Sequence, residues 1–184
     1  PIIQGGMGVG ISLAGLAAAV ANQGGVGVIA TVGIGNIRNR TNSNFRQNNI
    51  NALREEIAKA RSMTDGVLGV NIMCALSNFA DFVKTSIEEN IDVIFSGAGL
   101  PLDLPKYLDA SSKTKLVPIV SSARAAKIIC SKWKSNYNYI PDAIVVEGPK
   151  AGGHLGFKPE EISNPAFQLE QLIPEVKAAV SSFV

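Results

Sequence analysis

The chain has 184 residues, of which 46% are hydrophobic and 17% are charged, and its formal net charge at pH 7 is +2. This length and composition predict a globular domain with a hydrophobic core and exclude a disordered chain. The basic residues are scattered, and the most basic stretch, 113–134, has few aromatic neighbours. We therefore expect a solvated surface there and no nucleic-acid partner.

Short apolar runs of β-forming residues alternate with helix-forming segments along the chain. We predict strands at residues 1–4, 26–30, 67–72, 92–95, 115–120 and 142–146. The first predicted helix is capped by Ser12, runs to about Gln23 and ends at Gly24-Gly25. Further helices are predicted at residues 50–62, 78–90, 101–110, 123–133 and 167–180.

These six βα units predict an α/β protein with a parallel sheet, because each strand is a continuous apolar run suited to burial on both faces. Two architectures are compatible with them, a doubly wound open sheet and part of a (β/α)8 TIM barrel, and the regular strand spacing favours the barrel. A complete barrel takes about 250 residues. We therefore predict one domain over 1–184 that lacks strands 7 and 8, either a fragment or a chain whose two open sheet edges are covered by another element.

The polar segment 36–49 interrupts this pattern with six asparagines and three arginines. It is predicted to be a long loop at the carboxyl end of the second strand. We expect a mobile surface loop, and the alternative is a lid, because that face of a barrel carries the active site.

Cysteine use and hydropathy limit the other function classes. Cys74 and Cys130 belong to no CxxC pair and the chain has one histidine, so no metal site is expected, and both cysteines are predicted to be buried in a reducing, cytoplasmic compartment. The apolar run 13–21 is too short to span a bilayer, and neither a signal peptide nor a membrane partner is expected.

The residues that follow the predicted strands are mostly small or glycine, as in Gly5-Gly6-Met7-Gly8 and Gly97-Ala98-Gly99. Glycines let a backbone approach a flat ligand closely, and their free amides can face a phosphate or a carbonyl. The lone histidine, His154, follows Gly152-Gly153, where a sharp turn could bring an imidazole over the rim for proton transfer or anion binding. A structural histidine is the alternative, and Glu147 is either a surface carboxylate or a ligand acceptor.

Six segments together resemble the nitronate monooxygenases over essentially the whole chain. They are PIIQGGMGVGIS (1–12), GVGVIAT (25–31), GVNIM (69–73), FSGAG (95–99), PIVSS (118–122) and EGPKAGGHLGF (147–157). The resemblance implies a TIM barrel that binds FMN non-covalently, with His154 as the active-site histidine. It implies cofactor contacts at Gly6, Met7, Asn71, Glu147, Gly152 and Gly153. The family often has Gln at the position of Glu147, and a carboxylate accepts hydrogen bonds but does not donate them.

The resemblance also implies a reaction. Alkyl nitronates or nitroalkanes would be oxidised by O2 to a carbonyl compound and nitrite, with His154 positioning the anionic nitronate and managing its proton. The family holds the FMN phosphate on loops after strands 7 and 8, so we expect weak FMN binding by this chain alone, and possibly association into a homo-oligomer. Two alternatives stay open: an enoyl-[acyl-carrier-protein] reductase of the same fold that uses NAD(P)H, and a catalytically inactive barrel fragment.

Overall fold

The computed structural model describes residues 1–36, 44–154 and 156–183. Within these ranges, five helices and five strands follow one another. In chain order they are α1 (Ala14–Asn22), β1 (Gly27–Ala30), α2 (Phe45–Arg61), β2 (Leu68–Met73), α3 (Phe79–Glu88), β3 (Val93–Gly97), β4 (Lys115–Val120), α4 (Ala123–Tyr137), β5 (Val145–Val146) and α5 (Leu169–Val180). Short 3₁₀ turns lie at Ile34–Asn36, Leu104–Tyr107, Pro159–Glu161 and Pro165–Phe167.

The strands belong to one sheet in the order β1-β2-β3-β4-β5. β1 is parallel to β2, with Ala30 opposite Asn71, and β4 is parallel to β5, with Val120 opposite Val146. A doubly wound sheet requires a reversal of strand order, and none occurs in this series. The fold is therefore a run of consecutive βα steps of a (β/α)8 barrel, which confirms the predicted α/β class.

The chain divides into two compact units. The amino-terminal unit comprises Pro1–Phe95 and Tyr107–Lys115, and the carboxyl-terminal unit comprises Ser96–Lys106 and Leu116–Val184.

In the amino-terminal unit, α1 packs very closely on β1 because both surfaces are small. Ala14, Ala17 and Ala18 are fully buried. A Cβ built on Gly27 would lie 1.9 Å from the Ala17 carbonyl oxygen. No side chain larger than hydrogen fits at that position of β1.

In the carboxyl-terminal unit, the core is centred on Trp133 of α4, which is fully buried. Its indole N–H donates to the Pro101 carbonyl at 2.8 Å, so the one polar atom of the ring is satisfied. Tyr139 packs edge-to-face on the indole with ring centroids 6.0 Å apart.

The first predicted strand, 1–4, was wrong as a strand. This segment contributes a single parallel bridge, Ile3 to Val26. The next ladder position is replaced by the Gln4 side chain, whose amide accepts from Val28 N and donates to Val28 O, both at 3.1 Å. A side-chain amide has the same donor and acceptor pair as a peptide group, so the sheet edge is satisfied without a strand.

The predicted N-cap at Ser12 was also wrong. The first helix begins at Ala14 with Leu13 at the cap position and no side-chain cap bond. Instead, Glu56 of α2, which is buried, accepts from the Ala14 backbone N–H at 2.9 Å. A carboxylate from a neighbouring helix thus supplies both the acceptor and the negative charge favoured at a helix start.

Several element boundaries differ from the predictions. The sixth predicted strand shortens to the two residues of β5, and the helix predicted at 101–110 is a 3₁₀ turn. Helix α4 continues to Tyr137 because Asn138 ends it in the left-handed conformation, and α5 begins at Leu169 instead of 167. Among the described residues, no helix is long and apolar enough to cross a membrane.

The predicted polar loop 36–49 is partly helix. Residues 37–43, on which the lid alternative depends, lie outside the described residues. Helix α2 starts at Phe45, and Asn49 is buried with its side-chain oxygen accepting from Gly35 N at 3.0 Å. A composition that favours a loop is overridden here because one asparagine has a buried backbone partner.

Candidate functional site

The segment before α1 is held in place by Ser12. The Ser12 hydroxyl accepts from Gln4 Nε2 and from Met7 N, both at 3.0 Å, and donates to the Gly5 carbonyl at 3.4 Å. Ser12 is completely buried, while the Met7 side chain is 52% exposed. The loop backbone is therefore fixed from inside and presents an apolar side chain outward.

Farther along this loop, the backbone adopts a costly conformation. Val9 has a φ of +54°, in the left-handed region that β-branched residues avoid. Its N–H donates to the Val32 carbonyl at 2.8 Å, which ties the loop to the residues after β1. Gly8 packs on the same residue, because a Cβ there would be 2.7 Å from Val32 Cβ.

Gly6 and Asn71, two of the predicted cofactor contacts, lie against each other. A Cβ built on Gly6 would be 2.4 Å from Asn71 Cβ and 2.8 Å from its Cγ. Asn71 is in β2, and its backbone carbonyl accepts from both Thr31 N and the Thr31 hydroxyl, at 3.1 and 3.0 Å. The backbone of Asn71 is anchored, and its side chain is pressed against a residue without a side chain.

The Asn71 amide is available for a ligand. Among the residues that the structure describes, its side-chain nitrogen and oxygen have no protein partner, and the residue is half-buried. The neighbouring Gly5 has no heavy atom within 4 Å of an added Cβ. Within this unit, a planar group lying on the glycines would find one donor and one acceptor on Asn71.

In the carboxyl-terminal unit, Glu147 directly follows β5. Its backbone N–H donates to the Val120 carbonyl at 2.8 Å, which continues the parallel ladder by one residue. The carboxyl group is half-buried and receives a hydrogen bond from the Ser121 hydroxyl. Burial raises the pKa of Glu147 above its ordinary value, and the Ser121 hydrogen bond lowers it by a smaller amount.

The segment after Glu147 turns where the sequence predicts. Gly148 packs on Leu169, with a Cβ there 2.8 Å from Leu169 Cγ, and Gly153 has a φ of +89°. An added Cβ at Gly152 or Gly153 would meet no heavy atom within 4 Å. His154 is exposed and follows immediately, so an imidazole stands next to open backbone.

Three polar residues of these two loops escaped the sequence analysis as site residues: Gln4, Ser12 and Ser121. The first two organise the loop of Gly6 and Met7, and Ser121 contacts Glu147. Only the strand register could have identified Ser121, because Val120 pairs with Val146 and the next residues on both strands are then neighbours. Within the described ranges, no group of three or more His, Cys, Asp or Glu could hold a metal ion.

Comparisons with known proteins agree on one family. The family model described as nitronate monooxygenase matches residues 1–184. FabK from Thermotoga maritima has a TM-score of 0.71 and 30% sequence identity, covering 98% of this chain and 48% of that one. Nitroalkane oxidase from Streptomyces ansochromogenes has a TM-score of 0.73 over 97% of this chain and 55% of that one, but at 19% identity it supports the fold alone.

A curated relative brings a further activity. The "(3aS,4S,5R,7aS)-5-hydroxy-7a-methyl-1-oxo-octahydro-1H-indene-4-carboxyl-CoA dehydrogenase" of Mycobacterium tuberculosis is 28% identical over 159 residues, which are 85% of this chain and 38% of the relative. The enzyme of that name from Rhodococcus jostii gives the same 28% identity and the same coverage. The chain therefore spans well under half the length of these curated relatives.

Proposed function

Since the chain belongs to the nitronate monooxygenase family, we propose that it is a flavin-dependent oxidoreductase that oxidises alkyl nitronates with O2 to a carbonyl compound and nitrite. The observation that carries the proposal is the Gly6–Asn71 contact. It combines backbone without side chains, a fixed loop and a half-buried amide whose hydrogen-bonding atoms have no protein partner in the described residues. This combination suits a flat, polar-edged ring such as that of FMN.

In the amino-terminal unit, we assign the flavin contacts to Gly6, Met7 and Asn71. A side chain at residue 6 would collide with Asn71 and fill the space beside it, so the glycine keeps the amide in place. The exposed Met7 side chain offers a polarisable apolar surface to an aromatic ring. Asn71 would donate and accept at the ring's polar edge.

In the carboxyl-terminal unit, we assign cofactor contacts to Glu147, Gly152 and Gly153. The two glycines leave their backbone amides open to a ligand. Glu147 accepts hydrogen bonds when ionised, and its raised pKa extends the pH range over which the protonated carboxyl can donate one. Protonated Glu147 can therefore make the contact that an amide side chain would make.

FMN, when bound, supplies the electron-transfer chemistry of the reaction. We propose that His154 binds the nitronate, which is an anion, through its imidazole N–H and moves the substrate proton. The residue is exposed beside open glycine backbone, so a small anion can reach it. A general acid–base group of this kind contributes about 10²–10⁴-fold to the rate.

The test is aerobic turnover of an alkyl nitronate by the chain supplied with FMN, with nitrite release and O2 uptake followed together. We expect both, and we expect both to fall by about 10²–10⁴-fold in His154→Ala protein that still binds FMN. Nitrite release at the wild-type rate by that variant would refute the role of His154. Absence of turnover by FMN-loaded wild-type protein would refute the nitronate substrate.

A second candidate is an enoyl-[acyl-carrier-protein] reductase, and the FabK comparison favours it, because its 30% identity exceeds the 19% of the nitroalkane oxidase. This reading shares the flavin and differs in the electron donor. NAD(P)H consumption that depends on an enoyl thioester, without nitrite release from a nitronate, would establish it in place of the first proposal. Protein that binds no flavin and turns over neither substrate would favour the inactive fragment.

A further inference from the structure

We infer that Ser121 is a positioning residue: its hydroxyl fixes the Glu147 carboxyl, and its side chain sets the path of the backbone two residues after His154. The contacts of Ser121 stand independently of any cofactor. Their consequence for flavin binding rests on the function proposed above.

The strand register brings Ser121 and Glu147 together. Val120 is opposite Val146 in the parallel pair β4–β5, and Glu147 N donates to the Val120 carbonyl at 2.8 Å. Ser121 and Glu147 are thus the first residues beyond the paired ends of the two strands. The hydrogen bond from the Ser121 hydroxyl to the Glu147 carboxyl follows from this placement.

Ser121 also touches the chain as it returns after the glycine turn. A Cβ built on Gly156 would lie 2.6 Å from Ser121 Oγ and 2.9 Å from Ser121 Cβ. Because real Cβ atoms do not approach so closely, residue 156 passes over Ser121 only as glycine. His154 lies two residues earlier, so Ser121 restrains the turn that carries the histidine as well as the carboxyl of Glu147.

Chemically, Ser121 opposes the effect of burial on Glu147. Burial raises the pKa of the Glu147 carboxyl, while the Ser121 hydroxyl stabilises the ionised form and lowers it. The charged and titratable side chains of the neighbouring segments, Arg124, Lys150, His154 and Glu170, are exposed. Among the described residues of this unit, none of them shifts the pKa of Glu147. The serine is therefore the one polar control on that carboxyl.

The test is a carboxyl ¹³C NMR titration of Glu147, performed without flavin and assigned by the loss of the signal in Glu147→Gln protein. We expect Ser121→Ala to move the titration midpoint upward, because the bond to the ionised form is lost. Ser121→Thr keeps a hydroxyl and should restore the midpoint. An unchanged midpoint in Ser121→Ala protein would overturn the inference.

The matched control is Ser122→Ala. Ser122 is the adjacent serine, and its hydroxyl accepts from Ala125 N at the start of α4. Its removal should weaken the helix start by about 1 kcal/mol and leave the Glu147 midpoint unchanged. An equal shift in both alanine variants would show a general loosening of the unit and overturn the specific role of Ser121.

Gly156→Ala is the second variant, for use if Ser121→Ala does not fold. Its Cβ displaces the Ser121 hydroxyl, so the same upward shift is expected, and an unshifted midpoint refutes the contact. An FMN titration then separates the two proposals. If wild-type protein binds no FMN, the proposed function fails while the NMR result stands. If FMN affinity is identical in wild-type and Ser121→Ala protein, Ser121 does not position the site for flavin.

Discussion

Replacing Gly6 by alanine tests the geometry of the amino-terminal loop directly. The new Cβ would be placed 2.4 Å from Asn71 Cβ, 2.8 Å from Cγ and 3.3 Å from Nδ2. Asn71 is anchored through its backbone carbonyl to Thr31, so it cannot simply move away. Overpacking of this kind costs about 1–3 kcal/mol, which for a chain of this size lowers the melting temperature by about 2–12 °C.

Gly5→Ala is the matched control, because an added Cβ at Gly5 meets no heavy atom within 4 Å. Neither glycine has a positive φ, so backbone strain does not confuse the comparison. We expect the control to change the free energy of unfolding by no more than about 0.5 kcal/mol.

Thermal unfolding and FMN titration of both variants complete the test. Displacement of the Asn71 amide should remove one hydrogen bond to the flavin, about 0.5–1.5 kcal/mol, or about 2- to 13-fold in affinity. Equal melting temperatures for Gly6→Ala and Gly5→Ala protein would refute the packing argument. Equal FMN affinities would refute the role of Asn71.

Three further predictions concern other parts of the chain. His154→Ala should reduce nitronate turnover by about 10²–10⁴-fold with FMN affinity retained, measured by nitrite release against an FMN titration; loss of FMN affinity instead would make the residue a binding group. Glu147 is protonated more readily in the folded than in the unfolded chain, so its ionisation removes stability as pH rises from the unfolded pKa through the raised folded pKa. Glu147→Gln should therefore melt higher than wild type above that window and equally below about pH 4, and a constant difference from pH 4 to 8 would contradict this. Gly27→Ala should destabilise by about 1–3 kcal/mol or more, whereas Gly15→Ala in α1, with open space around its Cβ, should be neutral or stabilising by up to about 1 kcal/mol; denaturant unfolding of the pair decides.

The interior strands could be predicted from sequence because burial on both faces leaves a continuous apolar signal. Val70 and Ile72 of β2, and Leu116 and Val117 of β4, are all buried. The first strand could not, because Gln4 replaces backbone pairing with its side chain. That exchange depends on the position of Val28, which local sequence does not contain.

The helix start at Ala14 failed for the same physical reason. Ser12 has the right residue type and spacing for an N-cap, but its hydroxyl is used inside the loop by Gln4 and Met7. The cap comes from Glu56, which is 42 residues away in the chain. Local rules predict which groups need partners, and tertiary packing decides which partners they receive.

The glycine-rich ends of the strands were visible in the sequence, but their partners were not. Gly6 was predicted as a cofactor contact, and the structure adds that it lies against Asn71. Gly156 was part of the quoted motif, and its close approach to Ser121 depends on the pairing of β4 with β5. Sequence motifs identify residues that need space, and the register identifies what occupies it.

The most direct test of the central claim is whether this chain binds FMN through Asn71. FMN fluorescence would be titrated with wild-type, Asn71→Ala and Gly5→Ala protein under the same conditions. We predict a saturable change for wild type, an unchanged affinity for Gly5→Ala and an affinity about 2- to 13-fold lower for Asn71→Ala, the loss expected for one hydrogen bond. No saturable change with wild-type protein, or the same affinity for all three, would contradict the flavin site proposed for this unit.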